Sequence, residues 1–486
     1  MSLNLKPQIR SHWTTISEFL SKDDQRSAKE SKKYGKSLRK AVPRDVLSTW
    51  SASPTRPDAA GLLFEQDKMR VQELVPVRHE RMSVSAFTFY RGAALVMASD
   101  LSTIPTTGIE VQVCGDAHIS NFGLFFSPER HTVFDINDFD ETTRGPWEWD
   151  VARLAASVEI CGRDRGMSEK QRRKAVLAAG EGYREAMRSF AQQGNLDVWY
   201  AHMDIDELMS TLGEKMDKAS RKNAEKVLQK AKSKDSARAI AKLTEVVDGQ
   251  LRVRSDPPII VPLRDLAEHA GKEAPSDLVM LKLVARVFSK YRKTLPPERA
   301  ALIDRYRGVD IARKVVGVGS VGMRAWIVVL EGADEHDCLV LQVKEATDSV
   351  LERFVGRAPQ ANHGQRVVEG QHAMQTVSDL FLGWTSMPLG QDGMFHDYYV
   401  RQLWDGKGSI NLNIINAKQL RYLSKACGWT LAHAHARTGD RFAIASYLGK
   451  SDLFEQSLAQ FAQTYADQNE RDYQSFLAAL SNNAEQ

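Results

Sequence analysis

The chain has 486 residues, 42% of them hydrophobic and 26% charged, the make-up of a folded globular protein with room for roughly two to four domains. A formal net charge of +4 is small for this length and argues against bulk binding of nucleic acid, and no apolar run is long enough to cross a membrane. Cys114, Cys161, Cys338 and Cys427 are widely spaced with no C-x-x-C pair, which speaks against a zinc site or a disulfide framework and, without a signal-peptide pattern, for a cytoplasmic setting.

Residues 1–45 are polar and lysine-rich. They read as a solvated lead-in and not as a binding arm, because Asp23, Asp24 and Glu30 dilute the basic charge. Pro43, Pro54 and Pro57 mark extended connections. From Arg78 to Leu101 apolar residues dominate, and one helix packed beneath the loops that follow is expected. Arg91 lies inside that run. A buried guanidinium needs an anionic partner, and a structural ion pair with a loop carboxylate is expected ahead of a phosphate.

The stretch from Val111 to Leu154 concentrates the polar chemistry. Val111 and Val113 form a strand that Gly115-Asp116-Ala117-His118 breaks. Leu124-Phe125-Phe126 and Val133, Phe134 and Ile136 form two more, joined by the turn residues Ser127-Pro128-Glu129-Arg130. The last ends in Asn137-Asp138-Phe139-Asp140. A hairpin return of this kind would bring Asp116, Asn121 and Asp138 together. An aspartate at a strand exit can accept a hydroxyl proton. An asparagine and a second aspartate supply the oxygen ligands that Mg²⁺ shares with substrate phosphates.

The pattern D-x-H-x-x-N followed by D-F-x resembles the catalytic and metal-binding loops of aminoglycoside phosphotransferases and their kinase-like relatives. In that resemblance Asp116 is the base, Asn121 and Asp138 hold Mg²⁺, and Asp150 of GPWEWDVARL braces the catalytic loop. His118 and Asp140 are supports. Two positions depart from it: Cys114 stands where those enzymes usually carry histidine, and Asp140 where they carry glycine.

Residues 156–300 read as a helical region. Ser168-Glu169-Lys170-Gln171 is a capping-box signature, and Val176, Ala179, Tyr183, Met187 and Phe190 follow at helical spacing. The basic run between Lys215 and Lys234 reads as a solvated face. Ile259-Ile260-Val261 is a short extended piece, and a further helix covers about 277–294.

Residues 301–415 read as a β-rich nucleotide-binding lobe. Gly317, Gly319 and Gly322 spell G-x-G-x-x-G, but a β-rich run from Met323 to Leu330 follows where a dinucleotide-binding fold would have a helix. A glycine-rich tip followed by a strand carrying Lys344 is the kinase layout, in which the loop covers the phosphates and the lysine reaches them. Glu369, on a helix over 365–380, is the expected carboxylate partner of Lys344, with Glu352 as competitor. The strand Tyr398–Leu403 would cross to the helical lobe and offer its backbone to an adenine edge.

Residues 416–486 read as C-terminal helices. His433 and His435, two apart, make a poor metal pair and read as ordinary polar or packing residues. The catalytic block precedes the glycine-rich block, the reverse of kinase order. An α+β, two-lobed, circularly permuted kinase-like fold is therefore expected. The blocks FYRGAA, CGDAHxxNFG, NDFDE, GPWEWD and QRVVEGQ also resemble a widespread bacterial family of unknown function, which implies no activity by itself. The expected activity is ATP- and Mg²⁺-dependent phosphoryl transfer to a small-molecule or protein hydroxyl, with nucleotidyl transfer possible from the same parts. Two alternatives stay open: a nucleotide-binding regulatory protein without turnover, and a metal-dependent phosphoesterase using Asp116, His118 and His131.

Overall fold

The computed structural model describes residues 26–484 apart from 213–221, 223–224, 227, 230–235, 248–249, 270–276, 316, 335–336, 389–394, 404–407 and 409. The basic run between Lys215 and Lys234 therefore lies almost entirely outside the described residues.

Apolar spacing at helical period builds the larger half. Its helices are α1 (Ala28–Ala41), α2 (Ala59–Asp67), α3 (Val75–Met82), α4 (Ala86–Gly92), α5 (Ala94–Leu101), α6 (Trp147–Asp164) and α7 (Glu169–Phe190). Ser168 and Gln171 form the expected capping box at the start of α7. The stretch expected as one helix over 78–101 is three. Ser85 accepts a bond from the Thr88 amide and starts α4 afresh, and Ala93 at φ −111°, ψ 38° breaks the run before α5. The described part of the lysine-rich lead-in is also more ordered than expected. Helix α1 keeps Lys29, Lys32, Lys33 and Lys36 exposed, but Arg39 donates to the Tyr447 carbonyl at 2.9 Å and fixes it to the C-terminal helices.

Between α5 and α6 the chain forms β1 (Glu110–Val113), β2 (Phe122–Phe126), β3 (Thr132–Ile136) and β4 (Thr143–Pro146). Strand β1 pairs antiparallel with β4, and β2 with β3, which also pairs with the short β5 (Met203–Asp204). Two loops emerge side by side, 114–121 after β1 and 137–142 after β3. The Asn137 amide donates to the Asn121 carbonyl at 2.8 Å and joins them.

The hairpin β6 (Thr244–Val247) and β7 (Gln250–Val253) leads into an antiparallel sheet of six strands: β8 (Ile260–Pro262), β9 (Arg307–Lys314), β10 (Ala325–Glu331), β11 (Cys338–Ala346), β12 (Gly383–Pro388) and β13 (Phe395–Gln402). Their order is β12-β13-β11-β10-β9-β8. The glycine-rich segment joins neighbours β9 and β10, and β11 with Lys344 lies beside them. Alternation sends Trp326, Val328, Leu341 and Val343 to one face, under α8 (Asp277–Arg292). Ile327, Val329 and Val340 go to the other, under Ser236–Leu243.

Helix α9 (His363–Met374), between β11 and β12, packs on both the sheet and α10 (Ala417–Thr438) and joins the halves. Then come α11 (Arg441–Leu448) and α12 (Leu453–Ala484). Helices α7 and α10 touch backbone to backbone at Gly182 and Gly428. A Cβ at either position would run into the facing helix. Among the described residues no helix is long and apolar enough to cross a membrane.

Candidate functional site

The loop after β1 is set by its backbone. Gly115 has φ +80°, and a Cβ there would strike the Glu141 carbonyl. Asp150, buried in the first turn of α6, accepts the amides of Cys114 at 2.8 Å and Gly115 at 3.0 Å. The brace expected of Asp150 is thus two backbone hydrogen bonds. His435 completes it with a contact to Asp150 at 3.2 Å, and its other ring nitrogen meets the Tyr183 hydroxyl at 2.9 Å. His433 and His435 are both buried, and each is hydrogen-bonded, His433 to the Val198 carbonyl at 3.1 Å.

Asp116 projects from this loop and is held by Arg153 of α6, whose Nε and Nη2 lie 2.8 and 2.7 Å from Oδ1. Burial alone would raise the Asp116 pKa, but the charge and hydrogen bond of Arg153 outweigh it and hold the carboxyl below its usual range. It is therefore ionised and suited to orient a hydroxyl. His118 lies 3.6 Å from the other oxygen, and burial pushes its imidazole down to about 3, so the ring is neutral. Asn121 donates its amide nitrogen to the Asp116 carbonyl at 2.7 Å, which leaves its side-chain oxygen as the atom to meet a hard cation.

The second loop carries Asp138 and Asp140. The Asp140 amide donates to Asp138 at 3.2 Å and holds the two carboxylates close. Burial and the neighbouring Asp140 raise the Asp138 pKa. Asp140 moves the other way. Burial opposes ionisation, but Lys344, which bonds its Oδ2, and the Tyr399 hydroxyl at 2.7 Å hold it below the usual range. Lys344 is buried and lies 3.9 Å from Asp138.

The glycine-rich segment closes over these loops. Gly317 and Gly322 have φ +68° and +91°, conformations that favour glycine. Ser320 at its tip reaches Asp140 at 3.4 Å. Gly317, Val318, Gly319 and Ser320 share one cleft with Asp116, His118, Asn121, Asp138, Asp140 and Arg91. The two blocks, about 200 residues apart in sequence, thus meet at one place. Lys344 and Gly322 do not line this cleft, and Lys344 reaches it only through its bond to Asp140.

Glu369 does not meet Lys344. On α9 the inward face carries Arg366, Val367, Gly370 and Met374, so Glu369 falls on the solvent side and bonds Gln360 and Gln365. Glu352, the competitor, pairs with Arg366 at 3.4 Å. Arg366 donates to the carbonyls of Asp140, Thr142 and Thr347 and so ties α9 to the second loop by backbone contacts. The ion pair expected for Arg91 is also missing: among the described residues none forms with it. On β13, the Gln402 and Leu403 amides are committed to Asp379 and Val340, and residues 404–407 beyond lie outside the described residues. His131 is away from the cleft, bonded to Asp204 at 2.8 Å.

Sequence reasoning missed Arg153, Arg366, Tyr399 and Arg401. Arg153 had a signal, a lone basic residue in the apolar turn Val151–Ala156. The others act by tertiary contacts that no spacing announces. The oxygen donors Asn121 and Asp138 fit a Mg²⁺ that takes the rest of its ligands from phosphates and water. Among the described residues no cluster of three or more His, Cys, Asp or Glu forms an all-protein metal cage.

A protein-family model described as "Uncharacterized protein conserved in bacteria (DUF2252)" matches residues 70–479, and the chain belongs to that family. No curated protein and no solved structure matches it.

Proposed function

For this member of the DUF2252 family, we propose ATP- and Mg²⁺-dependent phosphoryl transfer to a hydroxyl acceptor, on a permuted kinase-like scaffold. The observation that carries the reading is the shared cleft, with the tip of a β-hairpin glycine loop on one side and Asp116, Asn121 and Asp138 on the other. The succession of parts in space supports it. A glycine-rich tip joins two paired strands, the next strand carries a buried lysine, and a helix follows before the last two strands.

In this reading backbone amides of residues 317–320 cradle phosphates. Asn121 and Asp138 hold Mg²⁺, which when bound neutralises phosphate charge. Asp116, kept ionised by Arg153, orients the acceptor hydroxyl. Lys344 steadies the phosphates or the carboxylates that face them, and Asp140 takes the partner role expected of Glu369.

Calorimetry of ATP binding with and without Mg²⁺ tests this, on wild type, Asp138→Ala and Lys344→Ala. Binding that needs Mg²⁺ and weakens in both variants is expected. No ATP binding to a folded wild type would sink the reading. ATP consumption by wild type but not by Asp116→Asn would separate an enzyme from a regulatory nucleotide binder.

A further inference from the structure

Arg91 lies in the last turn of α4 and lines the cleft. Its Nε is buried without a hydrogen-bond partner. Arg70 and Arg366 also have a buried unpaired Nε, but among the described residues their other nitrogens are engaged, Arg70 by the Val321 carbonyl and Arg366 by backbone carbonyls, while Arg153 is held by Asp116 and Arg401 by Gln342 and the Asn137 carbonyl. The side chain is half-buried, and leaving a buried polar atom of a charged group unpaired has a cost that an arriving anion can offset. The position is also fixed. Arg153 donates to the Tyr90 carbonyl at 2.9 Å while holding Asp116, so one side chain sets the distance between Arg91 and the catalytic loop. On the next residue, the Gly92 carbonyl accepts from Arg78 at 3.0 Å.

Three features converge on this guanidinium. Asp116 and Asp138 are the carboxylates whose charge reaches it. The tip of the glycine-rich loop packs on the Arg91 backbone, where a Cβ on Gly319 would lie 3.3 Å from the main-chain carbonyl oxygen, and Arg91 lines the same cleft as that tip. A group among the loop tip, the metal carboxylate and the hydroxyl-orienting carboxylate is the one being transferred.

We propose that Arg91 binds the terminal phosphoryl group of the nucleoside triphosphate; this rests on the phosphotransferase reading above. The acceptor oxygen bonds to the γ-phosphorus as the bond to the β–γ bridging oxygen breaks. ADP leaves with that electron pair, and the acceptor proton passes to Asp116 or to water. The guanidinium fork meets two equatorial oxygens, where negative charge is spread during transfer.

The test is calorimetry of Mg²⁺–ATP and Mg²⁺–ADP on the full chain, wild type against Arg91→Met and Arg91→Lys, with thermal unfolding as the check of folding. Loss of a charge-assisted contact to the γ-phosphate is expected to weaken ATP binding on the order of tenfold in Arg91→Met and to leave ADP binding within about threefold. Arg91→Lys is expected to fall between, and it carries the test if Arg91→Met does not fold. An unchanged ratio of ATP to ADP affinity in a folded variant would overturn the assignment while the phosphotransferase reading stands. A wild type that binds neither nucleotide removes both.

Discussion

The ammonium of Lys344 on β11 bonds Asp140 of the second loop, and the carboxylate of α9 expected to hold it, Glu369, faces solvent. The six-stranded sheet and the loop after β3 are thus linked by a buried ion pair. Asp140→Ala strands the buried ammonium with only Asp138 at 3.9 Å to answer it. A loss of roughly 3–5 kcal/mol is expected, as for breaking other buried pairs. Urea unfolding of the variant measures it.

Asp138→Asn should behave in the opposite way without nucleotide. Burial and Asp140 disfavour its charge, so removing that charge is expected to leave stability unchanged or raise it by up to about 1 kcal/mol. The same change should abolish Mg²⁺-dependent ATP binding. A variant as stable as wild type yet unable to bind would mark Asp138 as retained for function. One that binds normally would remove it from the metal site.

Glu369→Gln is expected to leave ATP affinity within about twofold of wild type, because the side chain is exposed and bonds Gln360 and Gln365 on the solvent side. A loss comparable with that of Lys344→Ala would mean that α9 turns on nucleotide binding. Calorimetry on the two variants decides it.

Glu148 is buried at the start of α6, where Oε1 accepts from the Thr107 amide and hydroxyl at 2.8 and 2.6 Å. Burial outweighs those bonds and pushes its pKa from 4.5 to about 7. The folded state then holds a proton that the unfolded state has lost. Stability from this group is present below pH 4.5 and falls as pH rises to about 7. Glu148→Gln should flatten that window by roughly 2–3 kcal/mol. Unfolding midpoints at pH 5 and pH 8 measure the change, and parallel profiles for variant and wild type would contradict it.

The local features were legible in the sequence because local residues cause them. The capping box at Ser168, the hairpin from Leu124 to Ile136 and the glycine tip at 317–322 each follow from turn, cap or alternation chemistry. The break at Ser85 was missed because apolar spacing alone does not register a serine that caps a new helix. By itself the chain determined which residue types stand at strand ends and in what order, and hence the set Asp116, Asn121, Asp138, Gly317, Gly319 and Lys344. Only the tertiary structure decided that Asp116, Asn121 and Asp138 share one cleft with Gly317 and Gly319, that Asp140 and not Glu369 holds Lys344, and that among the described residues the Arg91 Nε is left without a hydrogen-bond partner. Such pairings depend on how helices and sheets pack across hundreds of residues. The period of a helix tells which residues share a face, but not what that face will meet.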